Sequence, residues 1–156
     1  MKVAILTANT DIYRGNEEDK AGQVIKKIVE EAGLEVVFQK ALPNDRQVLS
    51  TIMQRMADGK VADLILTTGG SGVGSDDWTP EATLDIVDKV VPGIPEAMRA
   101  HTAQLTKRSM LNRSAAGIRG DVLIVNLPGK AGAAKECLRF LLAELVHAVE
   151  VIKGEA

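Results

Sequence analysis

Four apolar runs rich in β-branched residues, Lys2–Thr7, Glu35–Leu42, Ala62–Thr68 and Asp121–Leu127, are separated by stretches of helical periodicity. The helical stretches are Ala21–Ala32, Asp45–Ala57, Thr79–Lys89, Pro95–Gln104 and Ala131–Ile152. Strands that alternate with helices, as "VAILT" and "DVLIVNLP" do here, need crossover connections, and crossovers build a parallel sheet. Gly33 and Gly59 stand where a helix has to stop before the next strand begins. No internal repeat, low-complexity tract or linker interrupts the pattern. The expected fold is therefore α/β, a single domain over residues 1–156, with a mostly parallel twisted sheet and helices on both faces.

Composition narrows the function. A chain of 156 residues, 46% apolar and 26% charged, has enough material for a substantial core. Aromatics make up only 3%, so the core has to rest on Val, Leu, Ile and Ala, and few rings remain for stacking unpaired bases. A net charge of -2 and a pI of about 5.7 give no general attraction to nucleic acid. The one cysteine, Cys137, excludes an internal disulfide and a cysteine-cluster metal site. No apolar run reaches the roughly 18 residues of a membrane span. The opening "MKVAILTAN" reads as a first strand rather than a signal peptide, and a cytoplasmic protein is expected.

The last helical stretch has one narrow polar stripe, formed by Glu136, Arg139, Ala143, Glu144, His147 and Glu150. Leu138, Phe140, Leu141, Leu142, Leu145, Val146 and Val149 make most of its remaining surface apolar. Such a helix is buried on more than one side, either as a central packing helix or at a subunit interface. Cys137 falls on the apolar part as a core residue, and His147 falls in the solvated stripe.

In a parallel sheet, ligands collect at the carboxyl ends of the strands. Three strand ends carry unusual loops: "TANTDIYRGNEEDKAG", "LTTGGSGVGSDDWTP" and "NLPGKAGAAKE". In the second, Gly69, Gly70, Gly72 and Gly74 permit positive φ and a close approach to backbone amides, which can form an anion nest. Thr68, Ser71 and Ser75 add hydroxyls, and Thr79, Pro80 and Glu81 read as N-cap and first turn of a helix. The loop has no lysine, so it is no Walker loop. Its helix also starts too late for a dinucleotide fingerprint. An ordinary tight turn is the alternative reading of the glycines.

Asp76 and Asp77 sharpen the choice. They can complement a helix dipole, or they can hold a Mg²⁺ ion that phosphates share, since Mg²⁺ commonly takes one or two carboxylates plus substrate phosphates. Between Glu96 and Asp121 there is no acidic residue, whereas Arg99, Lys107, Arg108, Arg113 and Arg119 all occur. That cluster points to a polyanion or to a solvated or interface face. Lys130, before the last helix, offers a second anion contact. Two anion-binding loops imply a pair of ligands with several phosphates.

These residues resemble the Mog-type molybdopterin adenylyltransferases of molybdenum cofactor biosynthesis, which include the plant and gephyrin G domains. "LTTGGSG" is similar to the family's Thr-Thr-Gly-Gly-Thr-Gly, and "DWTPEAT" to its Asp-Val-Thr-Pro-Glu-Ala-Thr. "PGIPEAMR" resembles Pro-Gly-Phe-Gly-Glu-Met-Arg. "LNRSAAGIRGDVLIVNLPGKAGAAKECL" continues the resemblance almost to the chain's end, and "EEDKAG" matches Asp-Lys-Ser-Gly.

The resemblance implies the molybdenum cofactor biosynthesis fold and transfer of AMP from ATP to the terminal phosphate of molybdopterin, with release of pyrophosphate. It implies Asp77 as the catalytic residue and as a Mg²⁺ ligand, with Asn44 and Asp45 as further metal positions. It assigns substrate binding to Thr68, Gly69, Gly70, Ser71, Gly72, Arg99, Asn126, Pro128, Gly129 and Lys130. A homotrimer and a downstream molybdate-insertion protein as partner are implied as well. Departures from the family pattern occur at Asn9-Thr10-Asp11, at Asn44 where relatives carry an acid, and at Ala131 where they carry proline. The loss of charge at Asn44 keeps a non-catalytic pterin- or nucleotide-binding module as the alternative. Relatives of the same fold with another chemistry, molybdate insertion or nucleotide hydrolysis, are usually longer chains.

Overall fold

Alternate residues of the first strand, β1 (Lys2–Ala8), belong to two different cores. Val3 and Ile5 face one, and Ala4, Leu6 and Ala8 face the other. The same division recurs in β3 (Leu64–Thr68) and β6 (Val122–Leu127). A strand with two apolar faces has to be covered on both sides, and continuous runs of this kind are what parallel sheets require.

The computed structural model describes residues 1–156. Its elements follow in the order β1, α1 (Thr10–Tyr13), α2 (Lys20–Glu31), β2 (Glu35–Leu42), α3 (Arg46–Asp58) and β3. The chain continues through α4 (Thr79–Leu84), β4 (Lys89–Val90), α5 (Gly93–Ala103), a 3-10 helix (Lys107–Leu111), β5 (Ala116–Arg119), β6 and α6 (Ala131–Ile152). The six strands form one sheet in the order β2-β1-β3-β6-β5-β4. The four from β2 to β6 are mutually parallel, and β5 and β4 complete the edge antiparallel.

One core holds Ile25 and Val29 of α2, Met98 of α5, and Cys137, Leu138, Leu141, Leu145 and Val149 of α6. The opposite core holds Leu49, Met53 and Met56 of α3 and Ala82 of α4. Helices thus cover both faces, as expected. Shortening one of the fully buried strand leucines, such as Leu66→Ala, costs about 2–5 kcal/mol, because the cavity adds to the lost transfer energy. No helix is long and apolar enough to cross a membrane.

Several expectations need correction. The helix expected over Thr79–Lys89 stops at Leu84, and the apolar residues that follow lead into β4. The Asp88 amide already donates to the Ile118 carbonyl at 2.8 Å, so sheet pairing replaces the helix there. β5 was not expected, because "AGIR" lacks an apolar run; it forms by folding back on β6 through Gly120, whose φ is +56°. The short α1 and the 3-10 helix are further additions, whereas α6 keeps the expected bounds.

Asp19 caps α2 by accepting from the Gly22 amide at 2.8 Å and also accepts from the Thr7 hydroxyl at 2.7 Å. That bond ties the start of α2 to the end of β1. Along α6, the buried residues pack centrally on the sheet, while Phe140 stays 45% exposed and stacks on His101 of α5 at 4.1 Å between ring centroids. His147 is exposed, as its place in the polar stripe implied.

Candidate active site

The sheet order reverses between β1 and β3: from β1 the chain moves outward to β2, and from β3 it moves toward the opposite edge. Such a reversal parts the loops that leave the two strands and opens a crevice at their carboxyl ends. Thr68 at the end of β3 lies in register with Thr7 on one side and Leu127 on the other, so three loops leave the sheet side by side.

Crowding at these ends explains two glycines. At Gly69 φ is +89°, and a Cβ there would lie 2.5 Å from the Ala8 carbonyl oxygen. At Gly70 φ is +70°, and a Cβ would collide with the Thr79 hydroxyl. Side chains are excluded from both positions by backbone conformation and by space. The loop is then tied down. The Thr68 hydroxyl donates to the Pro128 carbonyl at 2.6 Å, and the Gly69 amide donates to the Leu127 carbonyl at 3.3 Å. Thr79 donates its hydroxyl to the Gly69 carbonyl at 2.9 Å and its amide to the Gly70 carbonyl at 3.0 Å. Thr79 is therefore the first residue inside α4 rather than its N-cap, a position taken by Trp78.

Arg113 binds the loop from outside. Its amide donates to the Ser71 carbonyl at 2.8 Å, and its guanidinium donates to the carbonyls of Gly72 at 2.6 Å and Asp77 at 2.8 Å. The same guanidinium makes a two-bonded pair with Glu81 at 2.7 and 3.2 Å. Glu81 first, and Asp77 less strongly, raise the Arg113 pKa above its usual value, so the strap stays charged. With these carbonyls engaged, the amides of Gly70, Ser71, Gly72 and Val73 donate to no protein acceptor. Asp77 Oδ2 accepts from the Gly74 amide at 2.7 Å, which fixes the carboxyl group and leaves Oδ1 without a protein donor. Asp76 is exposed, and the loop uses its carbonyl rather than its carboxylate.

Two clefts meet at this loop. The first, about 440 Å³, is lined by Ser71, Gly72 and Val73, by Pro128, Gly129 and Lys130, and by Thr102, Thr106, Arg108 and Ser109. The second, about 460 Å³, is lined by Val73, Gly74, Ser75, Asp77, Trp78, Glu81 and Arg113. Val73 belongs to both, so the loop is their common wall. One cleft presents two cations and several hydroxyls; the other presents the fixed Asp77 carboxylate beside the Glu81–Arg113 pair.

Of the residues read from the sequence, Ser71, Gly72, Pro128, Gly129 and Lys130 come together in the first cleft, and Asp77 stands in the second. Thr68, Gly69 and Gly70 form the base of the loop, where the Thr68 hydroxyl is committed to Pro128. Arg99 lines neither cleft; it donates to the Asn112 and Ser114 carbonyls at 3.3 Å each and anchors the loop that carries Arg113. Asn126 is 0% exposed. Its oxygen accepts from the Ala115 amide at 3.0 Å, and its nitrogen donates to the hydroxyls of Thr67 and Thr83 at 3.0 and 2.9 Å. With every polar atom of its side chain bonded inside the protein, Asn126 braces the site from below.

Asn44 and Asp45 line a third cleft, with Arg46, Gln47, Trp78 and Asp85. Asp45 caps α3 by accepting from the Val48 amide at 2.9 Å. Asn44 Oδ1 accepts from the Thr10 amide at 2.8 Å, and Nδ2 donates to the Asp76 carbonyl at 3.1 Å. No three His, Cys, Asp or Glu side chains gather into a metal-binding group. Asp77 and Asp45 each offer a fixed carboxylate with one oxygen free of protein donors, and Asp77, beside the glycine loop, fits a Mg²⁺ ion whose other ligands are phosphates and water.

Sequence reasoning included Arg108 and Arg113 only as part of a basic stretch. Thr102, Thr106 and Ser109 carried no signal, because they reach the cleft only through the packing of α5 and the 3-10 helix.

Fold and crevice together define a doubly wound α/β domain with clefts at the carboxyl ends of its strands. Residues 4–148 match the family described as probable molybdopterin binding domain, and the chain belongs to that family. It is 32% identical over 154 residues to the molybdopterin adenylyltransferase of Helicobacter pylori, covering 97% of this chain and 88% of that protein. Among solved structures, it is similar to the molybdopterin biosynthesis enzyme MoaB of Thermus thermophilus, with a TM-score of 0.92 and 36% identity over 98% of this chain and 96% of that one. It is also similar to the molybdopterin biosynthesis Mog protein of Mycobacterium ulcerans, with a TM-score of 0.90, 31% identity and coverage of 98% and 97%.

Proposed function

We propose that this chain acts in molybdenum cofactor biosynthesis as a molybdopterin adenylyltransferase, moving AMP from ATP to the terminal phosphate of molybdopterin. The observation that carries the reading is the glycine loop as common wall between a cationic, hydroxyl-rich cleft and a cleft where Asp77 keeps a free oxygen while Glu81 is spent on Arg113. The first suits a phosphorylated pterin. The second suits a nucleotide that brings a divalent cation. Family membership and the resemblance to molybdopterin adenylyltransferases support the same reading.

In this mechanism the pterin phosphate is the nucleophile, so no protein side chain has to attack. Its oxygen forms a bond to the α-phosphorus of ATP, the bond from that phosphorus to the bridging oxygen breaks, and pyrophosphate leaves with the bond's electrons. The unpaired amides of Gly70–Val73 stabilise the crowded phosphate charge, with Arg108 and Lys130 adding cations from the far wall. Asp77 would hold Mg²⁺, which when bound neutralises phosphate charge. Arg113 keeps loop and carboxylate aligned, and alignment is most of what phosphoryl-type transfer asks of a protein. A homotrimer and handover of the product to a molybdate-insertion protein belong to the same reading.

Incubation with ATP, Mg²⁺ and molybdopterin is expected to give pyrophosphate and the adenylylated pterin. Asp77→Asn is expected to abolish transfer while the fold stays intact, because the amide oxygen still accepts from Gly74. Unchanged turnover in this variant would remove the metal role. The engaged side chain of Asn44 favours the second reading, a non-catalytic binding module, and the same assay separates the two: ligand binding without pyrophosphate release supports the module.

A further inference from the structure

The one tryptophan in the chain, Trp78, has no part in either core, yet it stands directly beside Asp77. It is 41% exposed. Of the chain's few aromatic residues, it alone lines the cleft that contains Asp77. Its indole borders both the cleft that contains Asp77 and the one that contains Asn44.

The ring is also held in place. The Arg46 guanidinium lies over it, 5.9 Å from the ring centroid, within reach of a cation–π attraction. Arg46 is itself fixed by two bonds to Asp85, at 2.7 and 2.8 Å. On the backbone side, the Trp78 carbonyl accepts from the Ala82 amide at 2.9 Å at the start of α4. An aromatic plane with a fixed guanidinium stationed over one face and its backbone anchored has little freedom left to give up on binding, which makes it a preorganised stacking surface.

We infer that Trp78 is the platform on which the purine ring of the nucleotide stacks, using the face that Arg46 leaves free. The inference rests on the proposed reading of the Asp77 cleft as the nucleotide side. With the α-phosphate held at Asp77, the base of the same nucleotide comes within reach of the adjacent side chain. Stacking is tolerant of hydrogen-bond pattern, so Trp78 supplies affinity for a flat heterocycle rather than recognition of one base. A pterin is also a flat heterocycle, and the test has to tell the two apart.

The whole protein is titrated with Mg²⁺-ATP, with Mg²⁺-tripolyphosphate and with molybdopterin, following tryptophan emission and, by calorimetry, affinity. Because Trp78 is the sole tryptophan, any change in emission belongs to this ring. ATP is expected to quench it, while tripolyphosphate binds without quenching. Trp78→Ala is expected to weaken ATP binding about tenfold, within the range for base–aromatic stacking, and to leave tripolyphosphate affinity unchanged. Trp78→Phe keeps most of the ATP affinity. Equal losses for ATP and tripolyphosphate in both variants would show that the ring only buttresses the loop, and would overturn the inference. Quenching by molybdopterin but not by ATP overturns it too, by assigning the platform to the pterin. Full ATP affinity in Trp78→Ala overturns this inference alone, whereas a wild-type protein that binds neither ATP nor tripolyphosphate removes the nucleotide reading together with it.

Discussion

Asn44 donates through Nδ2 to the carbonyl oxygen of Asp76 at 3.1 Å, and through this bond the loop after β2 grips the loop that carries Asp77. Its Oδ1 accepts from the Thr10 amide at 2.8 Å, and its own amide donates to the Thr10 hydroxyl at 2.9 Å. Position 44 therefore uses both a donor and an acceptor. A carboxylate has no donor to offer.

Asn44→Asp is accordingly expected to lose the bond to Asp76 and to set a negative group against that carbonyl. The variant should unfold at lower urea, by about 1–2 kcal/mol, and turn over more slowly. A rise in Mg²⁺ affinity and in turnover would instead mark position 44 as a metal site.

Arg113→Lys keeps the charge but not the fork that spans Glu81, Gly72 and Asp77. Hydrogen exchange at residues 72–78 is expected to accelerate, and AMP transfer to fall by about tenfold or more while thermal unfolding changes little. Exchange identical to wild type would show that the strap does not hold the loop.

Asn126→Ala strands the Ala115 amide and the Thr67 hydroxyl in the core, while Thr83 keeps its bond to the Thr79 carbonyl. A loss of about 3 kcal/mol in unfolding free energy is expected, the upper part of the range for buried polar groups left unpaired. A loss of activity at unchanged stability would point instead to direct contact with substrate.

Acid sensitivity should trace to two exposed pairs. The carboxyl of Asp85 is held below its ordinary value of 3.8 by the hydrogen bond from Arg46, and that of Asp58 by the bond from Arg119. A depressed carboxyl contributes stability above its unfolded pKa and loses it as pH falls through the lower, folded value. Urea midpoints measured from pH 6 down to pH 2 are expected to fall less steeply in Asp58→Asn/Asp85→Asn than in wild type. Parallel curves would show that neither pair is linked to folding.

Cys137 is 0% exposed, and burial pushes its thiol up from 9.0 to about 11. Raising the pH through that value would ionise a buried group, so the stability present below pH 9 should be lost toward pH 11 and beyond. At pH 8 the folded protein is expected to resist a thiol reagent that labels it at once in urea. Rapid labelling without denaturant would mean that α6 opens locally.

The central parallel strands β1, β3 and β6 were legible because each is buried on both faces and has to be almost wholly apolar. "VAILT" and "LILTT" leave no other reading. The edge was not. β4 has two residues and β5 four, too short for a period, and their pairing depends on the turn at Gly120. At the site, the glycines and Asp77 were legible because conformation and charge are local properties. The work of Arg113 was hidden, since its partners Gly72 and Asp77 are backbone carbonyls 41 and 36 residues away. Asn126 misled for the opposite reason: it lies in a motif beside the loop, but the strand turns its side chain into the core.

The room that Gly69 occupies is defined by the Ala8 carbonyl at the end of β1 and by Gly129 in the loop after β6, and the shape of the loop is finished by Asn44 and Arg113 from two further segments. Residues 69–79 are therefore not a portable cassette. Grafted onto another α/β scaffold, the same letters would carry the composition of the site without its conformation, and a search by that short stretch alone would return many chains that lack its shape.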